Sequence, residues 1–241
     1  MIKKDAVVFG GSSGIGEASA RALLAKGQRV TITGRDEAKL AAAGKRLAAH
    51  GTVRTVVADG LDRAAVERVF EVSGPVDAVV ICVSGGKGAG PFRELDLNDV
   101  RGALEQKTMA QLTIAQVAAK HLGEGGSITF ISAASARSVI RGTAGLAAVN
   151  GAIEAVIPIL ALELAPIRVN AISPGIIYTP WWDGMPSAAR DAFFETATAT
   201  LPVRRIGTPE EVAELVATIT SAGFLTGSVY EIDGGSHLVT Q

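Results

Sequence analysis

Apolar runs rich in valine and isoleucine alternate along the chain with polar, alanine-rich stretches. The runs lack the every-second-residue polar alternation of half-exposed strands, so they are typical of strands buried on both faces of a sheet. The stretches between them, such as residues 37–50 and 63–72, predict helices with charged outer faces. We therefore predict an α/β fold in which helices cover both faces of a parallel sheet. Seven strands are predicted, at residues 5–9, 28–33, 53–58, 76–83, 126–132, 167–172 and 228–232.

Residues 178–207 interrupt this rhythm with Pro180, Trp181, Trp182 and Gly184, and their pattern is too irregular and too aromatic for a plain connection. We predict a substrate lid here, although a surface loop or an oligomer contact fits the composition equally well. The sequence contains no internal repeat and no low-complexity linker. Residues 1–241 are therefore predicted to form a single domain.

The bulk composition narrows the range of partners. A chain of 241 residues with 48% hydrophobic and 5% aromatic content can bury one large aliphatic core. Its net charge of −1 gives no electrostatic reason to expect a nucleic acid or a membrane surface as partner, so a small molecule is expected. The single cysteine, Cys82, excludes an internal disulfide. With no signal-length apolar stretch at the N-terminus and no window resembling a transmembrane span, we expect a cytoplasmic protein.

A glycine-rich turn follows the first predicted strand. Gly10, Gly14 and Gly16 allow the backbone to turn off the strand, approach a pyrophosphate closely and begin a helix whose N-terminal amides face the anion. Glycine-rich turns after strands often serve only to change direction. The strand before this turn and the helix-forming stretch after it favour dinucleotide binding.

Other motifs extend nearly to the end of the chain: the run from Leu160 to Asn170, the triplet Ser173-Pro174-Gly175, and Asp233-Gly234-Gly235. With the glycine turn, their order and spacing from residue 6 to residue 235 resemble those of the short-chain dehydrogenases/reductases. The resemblance implies a Rossmann-type, doubly wound domain that binds NAD(H) or NADP(H). It also implies a homodimer or homotetramer in which two long helices, at residues 98–122 and 142–165, contact a partner subunit.

The resemblance assigns a nearly complete cofactor site. Arg35 stands where NAD-preferring relatives commonly carry an acidic residue, and its guanidinium suits the 2′-phosphate of NADP(H). The alternative is that Arg35 is simply solvated in a turn beside Asp36, in which case NAD(H) would be the cofactor. The residues implied to contact the cofactor are Gly10, Ser12, Ser13, Ile15, Gly16, Arg35, Asp59, Gly60, Val83, Ser84, Gly85, Pro174, Gly175, Ile177 and Thr179.

The family's proton-transfer residues are missing from this sequence. Counting back without gaps from the run 161–166, the tyrosine position holds Leu146, the lysine position Asn150 and the serine position Ala133. Leu146 cannot exchange a proton, so ordinary carbonyl reduction through this position is unsupported. Lys107 stands where the family has asparagine, so lysine and asparagine have exchanged places.

We predict that Lys107 points toward the nicotinamide ribose and the substrate, helped by Asn150 and by a hydroxyl from Ser132 or Ser135. A solvated lysine on a helix surface is the alternative. No metal is expected. Three functions remain open: an oxidoreductase with altered proton transfer that reduces an imine, an activated alkene or a carbonyl; a catalytically silent NADP(H)-binding sensor or partner protein; and a non-redox isomerase or lyase. The retained nicotinamide-side residues and the aromatic lid favour the first.

Overall fold

The computed structural model describes residues 5–239, and its seven strands form one parallel sheet. The strands are β1 (Asp5–Phe9), β2 (Arg29–Gly34), β3 (Val53–Val57), β4 (Val76–Ile81), β5 (Leu122–Ile131), β6 (Arg168–Pro174) and β7 (Val229–Ile232). Their order in the sheet is β3-β2-β1-β4-β5-β6-β7, and each strand runs parallel to its neighbours. The predicted seven-stranded, doubly wound Rossmann-type sheet is confirmed.

Helices cover both faces of this sheet. They are α1 (Gly14–Ala25), α2 (Glu37–Leu47), α3 (Arg63–Ser73), α4 (Leu97–Ala103), α5 (Ala110–Ala118), α6 (Ala144–Glu163), α7 (Ser187–Thr200) and α8 (Pro209–Ser221). Successive strand residues point to opposite faces, so the neighbours Val7 and Val8, both fully buried, belong to two different core clusters. Helices α3, α5 and α6 pack on the first cluster, and α1, α2 and α8 pack on the second.

A π-helical turn, Leu104–Met109, joins α4 to α5 and contains Lys107. Such turns are frequent at functional sites. The long helix predicted over residues 98–122 is wrong at its C-terminal end, since α5 stops at Ala118 and Leu122 already belongs to β5. The apolar residues that continued the helical pattern there instead begin a strand.

The segment 178–207 is more regular than its sequence indicated. It contains a 3₁₀ turn, Pro180–Gly184, and the whole of α7. The expectation of an irregular connection is therefore wrong for residues 187–200, whose alanine content suits a helix. The Trp182 ring packs against Phe193 and Phe194 with centroid separations of 5.1 and 5.3 Å, which fixes the 3₁₀ turn on α7.

Helix α6 combines length with high hydropathy. Among the described residues it is the one helix long and apolar enough to cross a membrane by these criteria alone, with a mean hydropathy of 1.8 over its best window. The expectation that no window resembles a transmembrane span is therefore wrong as far as length and hydropathy are concerned. One face of the helix nevertheless belongs to the protein core, because Ile153 and Ile157 are fully buried against the sheet.

Candidate functional site

The glycine turn after β1 is held by close backbone contacts. Gly10 has a φ of +77°, and a Cβ added to it would lie 2.9 Å from the carbonyl carbon and oxygen of Cys82. A Cβ on Gly16 would lie only 2.0 Å from the Gly10 carbonyl oxygen. The amides of Gly10 and Gly11 both donate to the Thr33 carbonyl at the end of β2. Glycine is therefore a steric requirement at positions 10 and 16.

The N-terminus of α1 lacks the side-chain cap that α2 and α3 have. Asp36 caps α2 by accepting a hydrogen bond from the Lys39 amide, and Asp62 caps α3 by accepting one from the Ala65 amide. Ser13 occupies the corresponding position of α1, yet its side chain makes no such bond. The first amides of α1 therefore remain available to an anion, as a pyrophosphate site requires.

The loop after β6 contacts the glycine turn. A Cβ on Gly14 would lie 3.3 Å from Thr179 Cγ2, so the two loops meet at these residues. The loop is fixed on its other side by Gly175, whose added Cβ would lie 2.7 Å from Asp233 Cα. Ile177 pairs with Gly207 in an isolated parallel bridge. The fold thus brings the predicted pyrophosphate and nicotinamide loops together at one edge of the sheet.

The predicted adenosine-side residues lie at the ends of β2 and β3. Arg35 is exposed and makes no hydrogen bond or ion pair within residues 5–239, whereas Asp36 beside it is occupied in capping α2. The Arg35 guanidinium is therefore free to meet a phosphate. Asp59 is half-buried and accepts a hydrogen bond from the Leu61 amide through one oxygen, which leaves its other oxygen for a ligand. Gly60 packs against α5, where a Cβ would lie 2.9 Å from Ile114 Cδ1.

The loop after β4 contacts both the lid and the core. Gln111, which is fully buried, donates from Nε2 to the carbonyls of Val83 and Ile131 and so ties the ends of β4 and β5 together. Two residues further along, the Gly85 carbonyl accepts a 3.3 Å hydrogen bond from Trp181 Nε1 of the 3₁₀ turn. The segment predicted as a lid therefore reaches the loop that contains Val83, Ser84 and Gly85.

Lys107, Ser132 and Asn150 come together in the interior. Lys107 is only 7% exposed, so the alternative of a solvated surface lysine is wrong. Its Nζ donates to Asn150 Oδ1 at 2.7 Å and to the Ser132 carbonyl oxygen at 3.1 Å. Burial lowers the pKa of Lys107 to about 8, and Cys82 and Glu154 nearby oppose that shift. The two residues that have exchanged places relative to the family are therefore direct hydrogen-bond partners.

Ser132 contributes its carbonyl rather than its hydroxyl to this group. Its Oγ lies 2.7 Å from Glu154 Oε1 and 3.2 Å from the Ile172 carbonyl oxygen, and the residue is 3% exposed. The hydroxyl is thus engaged within the fold. The Asn150 amide nitrogen instead donates to the hydroxyl of Ser135, at 3.1 Å.

Glu154, which was not among the predicted site residues, is a buried carboxylate behind this site. Its Oε1 accepts from the hydroxyls of Ser132 and Ser173, and its Oε2 accepts from Arg137 Nε, each at 2.7 Å. The hydrogen bond to Glu154 raises the pKa of Arg137. The signal was present in the sequence: Glu154 is a charged residue in an apolar helix, one turn after Asn150 and on the same face.

Leu146 lies beneath the loop after β4. A Cβ on Gly88 would be 3.9 Å from Leu146 Cδ2, and a Cβ on Gly145 would be 2.4 Å from the Gly88 carbonyl oxygen. Gly90 donates from its amide to the Gly142 carbonyl, which fixes the same loop against the entrance to α6. The position that corresponds to the family's tyrosine therefore holds a half-buried, apolar side chain in this protein.

A second group of polar side chains lies near the C-terminus. Glu231, Asp233 and His237 are close enough to share a metal ion. Each is already engaged, because Asp233 Oδ2 lies 2.9 Å from His237 Nδ1 and Glu231 accepts from Arg137 Nη1 at 2.8 Å. The hydrogen bond to Asp233 raises the pKa of His237. A cavity of about 290 Å³ beside them is lined in part by Ile177 and Arg205.

Comparison with known proteins places this arrangement in a family. A family model described as enoyl-(acyl carrier protein) reductase matches residues 10–237. The chain is a short-chain dehydrogenase/reductase. An uncharacterized oxidoreductase of Methylorubrum extorquens is 36% identical to it over 248 residues, which cover 96% of this chain and 97% of the relative. The family resemblance inferred from the motifs is confirmed.

The names of two further relatives mention the nucleotides that those proteins bind. The crystal structure of a small-chain dehydrogenase in complex with NADPH superposes with a TM-score of 0.83 and is 32% identical, covering 98% of this chain and 100% of its own. A cyclic-di-GMP-binding biofilm dispersal mediator protein of Escherichia coli K12 is 33% identical over 237 residues, covering 96% of each chain. One of these two similar proteins is thus described in complex with NADPH, and the other is named for binding cyclic-di-GMP.

Proposed function

We propose that this protein is an NADP(H)-dependent oxidoreductase in which Lys107, Asn150 and a serine hydroxyl replace the family's tyrosine and lysine. The observation that carries the proposal is the buried Lys107–Asn150 pair, at 2.7 Å, beside an intact dinucleotide turn. The substrate is a small molecule with an imine, an activated alkene or a carbonyl group. NADPH, when bound, supplies the hydride.

The residues of the glycine turn fit this cofactor. The open N-terminus of α1, the steric requirement for glycine at positions 10 and 16, and the contact of Thr179 with Gly14 all support a dinucleotide lying over the turn. Arg35, which is free of protein partners within residues 5–239, supports recognition of a 2′-phosphate. The NADPH-bound relative supports the same choice of cofactor.

The chemistry differs from that of the family because Leu146 has no proton to give. Positioning alone can contribute roughly 7 kcal/mol or more to lowering a barrier, so hydride transfer is feasible without a phenol donor. Lys107 supplies a positive charge behind the site and Asn150 holds it in place. This arrangement favours substrates whose proton comes from solvent or from the substrate itself.

Cofactor binding and turnover test the proposal, with Arg35→Asp as the diagnostic variant. NADPH titration, followed by its fluorescence, should saturate for the wild type and be weaker for NADH. In Arg35→Asp the preference should shift toward NADH by roughly tenfold or more, because a carboxylate repels the 2′-phosphate and accepts from ribose hydroxyls. NADPH oxidation is then measured against imines, enones and ketones.

Arg63→Asp serves as a control, since this exposed arginine lies on α3 and bonds Gln116. It should keep the wild-type cofactor preference. A wild type that binds neither nucleotide contradicts the proposal at its first step. Binding of NADPH without oxidation by any of the three substrate classes contradicts the enzymatic part alone.

The second candidate function is a catalytically silent nucleotide-binding protein. It is favoured by Leu146, which removes the family's proton donor, and by the cyclic-di-GMP-binding name of the Escherichia coli relative. Such a protein would keep the dinucleotide-binding site but would not catalyse a reaction. The aromatic 3₁₀ turn that reaches Gly85 favours the enzyme instead, because a cover over the site serves a substrate.

We propose also that the protein is a homodimer or homotetramer in which α6 contacts its copy. Ile159 and Leu162 on this helix are 54% and 80% exposed, and apolar exposure of this kind marks interaction surfaces. Leu162→Arg is expected to shift the sedimentation velocity of the purified chain toward that of a monomer. Val72→Arg, at an exposed valine of α3, is the control and should leave the assembly intact. A wild-type monomer would refute this part.

A further inference from the structure

The hydroxyl of Ser135 is the outermost group of a chain of hydrogen bonds that begins at Lys107. Lys107 Nζ donates to Asn150 Oδ1 at 2.7 Å, and Asn150 Nδ2 donates to Ser135 Oγ at 3.1 Å. The same amide nitrogen donates its other proton to the Leu146 carbonyl at 3.0 Å. Every polar atom of the Asn150 side chain is therefore engaged.

The positive charge of Lys107 determines which group donates in each of these hydrogen bonds. An ammonium has only protons to offer, so the oxygen of the Asn150 amide must face Lys107 and its nitrogen must face Ser135. The Ser135 oxygen consequently accepts, and its own proton is left over. No atom within residues 5–239 receives that proton.

Ser135 is also the one hydroxyl of the two candidates that is free for a ligand. Ser132 is 3% exposed and its hydroxyl is engaged with Glu154 and the Ile172 carbonyl. Ser135 is half-buried and lies in the 3₁₀ turn Ala134–Ala136, which begins three residues after the end of β5. Ligands of doubly wound sheets bind beyond the carboxyl ends of the strands, where this turn lies.

We propose that Ser135 donates a hydrogen bond to the reacting acceptor atom of the substrate, a carbonyl oxygen or an imine nitrogen, and stabilises the negative charge that develops there. Because this series of hydrogen bonds begins at the Lys107 ammonium, each bond polarises the next one. The Ser135 hydroxyl, at the far end, thereby becomes a stronger donor. The inference rests on the proposed oxidoreductase function, and it makes Ser135 a catalytic residue. Ser132 then acts only as a positioning residue, through its carbonyl contact with Lys107.

Binding of 2-naphthol tests this role without turnover, because its neutral and ionised forms differ in absorbance and its oxyanion imitates the developing charge. The full chain is titrated with 2-naphthol in the presence of NADP⁺. Ser135→Ala should weaken binding of the ionised form by about tenfold or more, as expected for a hydrogen bond to a charged group. Ser135→Thr, which keeps the hydroxyl, should bind nearly as the wild type does.

Ser138→Ala is the matched control in the same loop, because the Ser138 hydroxyl is buried and has no hydrogen-bond partner among residues 5–239. It should bind the ionised form as the wild type does. Equal binding by wild type and Ser135→Ala overturns the inference, and so does failure of the wild type to bind the naphtholate. Naphtholate binding by a wild type that fails to bind NADPH refutes the oxidoreductase function alone.

Discussion

Replacing Gly16 with alanine is expected to weaken NADPH binding by about a hundredfold or more, equivalent to at least about 3 kcal/mol. The new Cβ would lie 2.0 Å from the Gly10 carbonyl oxygen and 2.8 Å from its carbonyl carbon. Both atoms are backbone, so no side-chain rotation relieves the overlap. To relieve the overlap, either the turn moves away from the start of α1 or the first residues of α1 unfold. Both changes move the backbone amides that would face the pyrophosphate out of position. NADPH fluorescence titration measures the loss.

Gly102→Ala is the control, because a Cβ on this α4 glycine meets nothing within 4 Å. It should keep the affinity for NADPH and raise the free energy of unfolding by about 0.5–1 kcal/mol, since alanine loses less backbone entropy in a helix. Unaltered NADPH binding by Gly16→Ala would show that the cofactor does not lie over this turn.

The sequence was sufficient to predict the sheet, because each strand can be recognised from its own residues without knowledge of distant contacts. Strands such as β4 are apolar runs bounded by turn residues, and that pattern has few other interpretations. The turn at Gly10 was equally predictable, since its glycines lie between a strand and a helix. The start of α2 was marked by Asp36, a residue type that caps helices.

The missed features depend on contacts between distant parts of the chain. The π-helical turn that directs Lys107 inward has no composition of its own, and lysine is a residue type that is usually exposed. The helical character of residues 187–200 was obscured by nearby prolines and aromatic residues. The division of roles between Ser132 and Ser135 depends on Glu154, which approaches from α6. The spacing of residues along the sequence does not indicate which serine hydroxyl donates to the Glu154 carboxylate.

Exchanging Lys107 and Asn150 should reveal that the two residues act as a pair. Asn150→Lys alone places two ammonium groups at a buried contact that now measures 2.7 Å, and we expect a loss of about 3–5 kcal/mol in the free energy of unfolding. Lys107→Asn alone removes the cation and the bond to the Ser132 carbonyl. The double variant restores one lysine and one asparagine in the family's arrangement and should recover about 1–3 kcal/mol relative to the sum of the single losses. Urea unfolding at neutral pH measures all four proteins.

The pH dependence of stability gives this cycle an independent readout. Burial lowers the pKa of Lys107 to about 8, whereas an unfolded lysine titrates near 10.5. Between these values the unfolded chain binds more protons than the folded one, so the free energy of unfolding of the wild type should rise with pH, by up to about 3 kcal/mol. Lys107→Asn lacks this titration, and the difference between the two proteins isolates it. Additive losses in the cycle would mean that Lys107 and Asn150 are not energetically coupled. Parallel pH profiles for wild type and Lys107→Asn would mean that folding does not lower the pKa of Lys107.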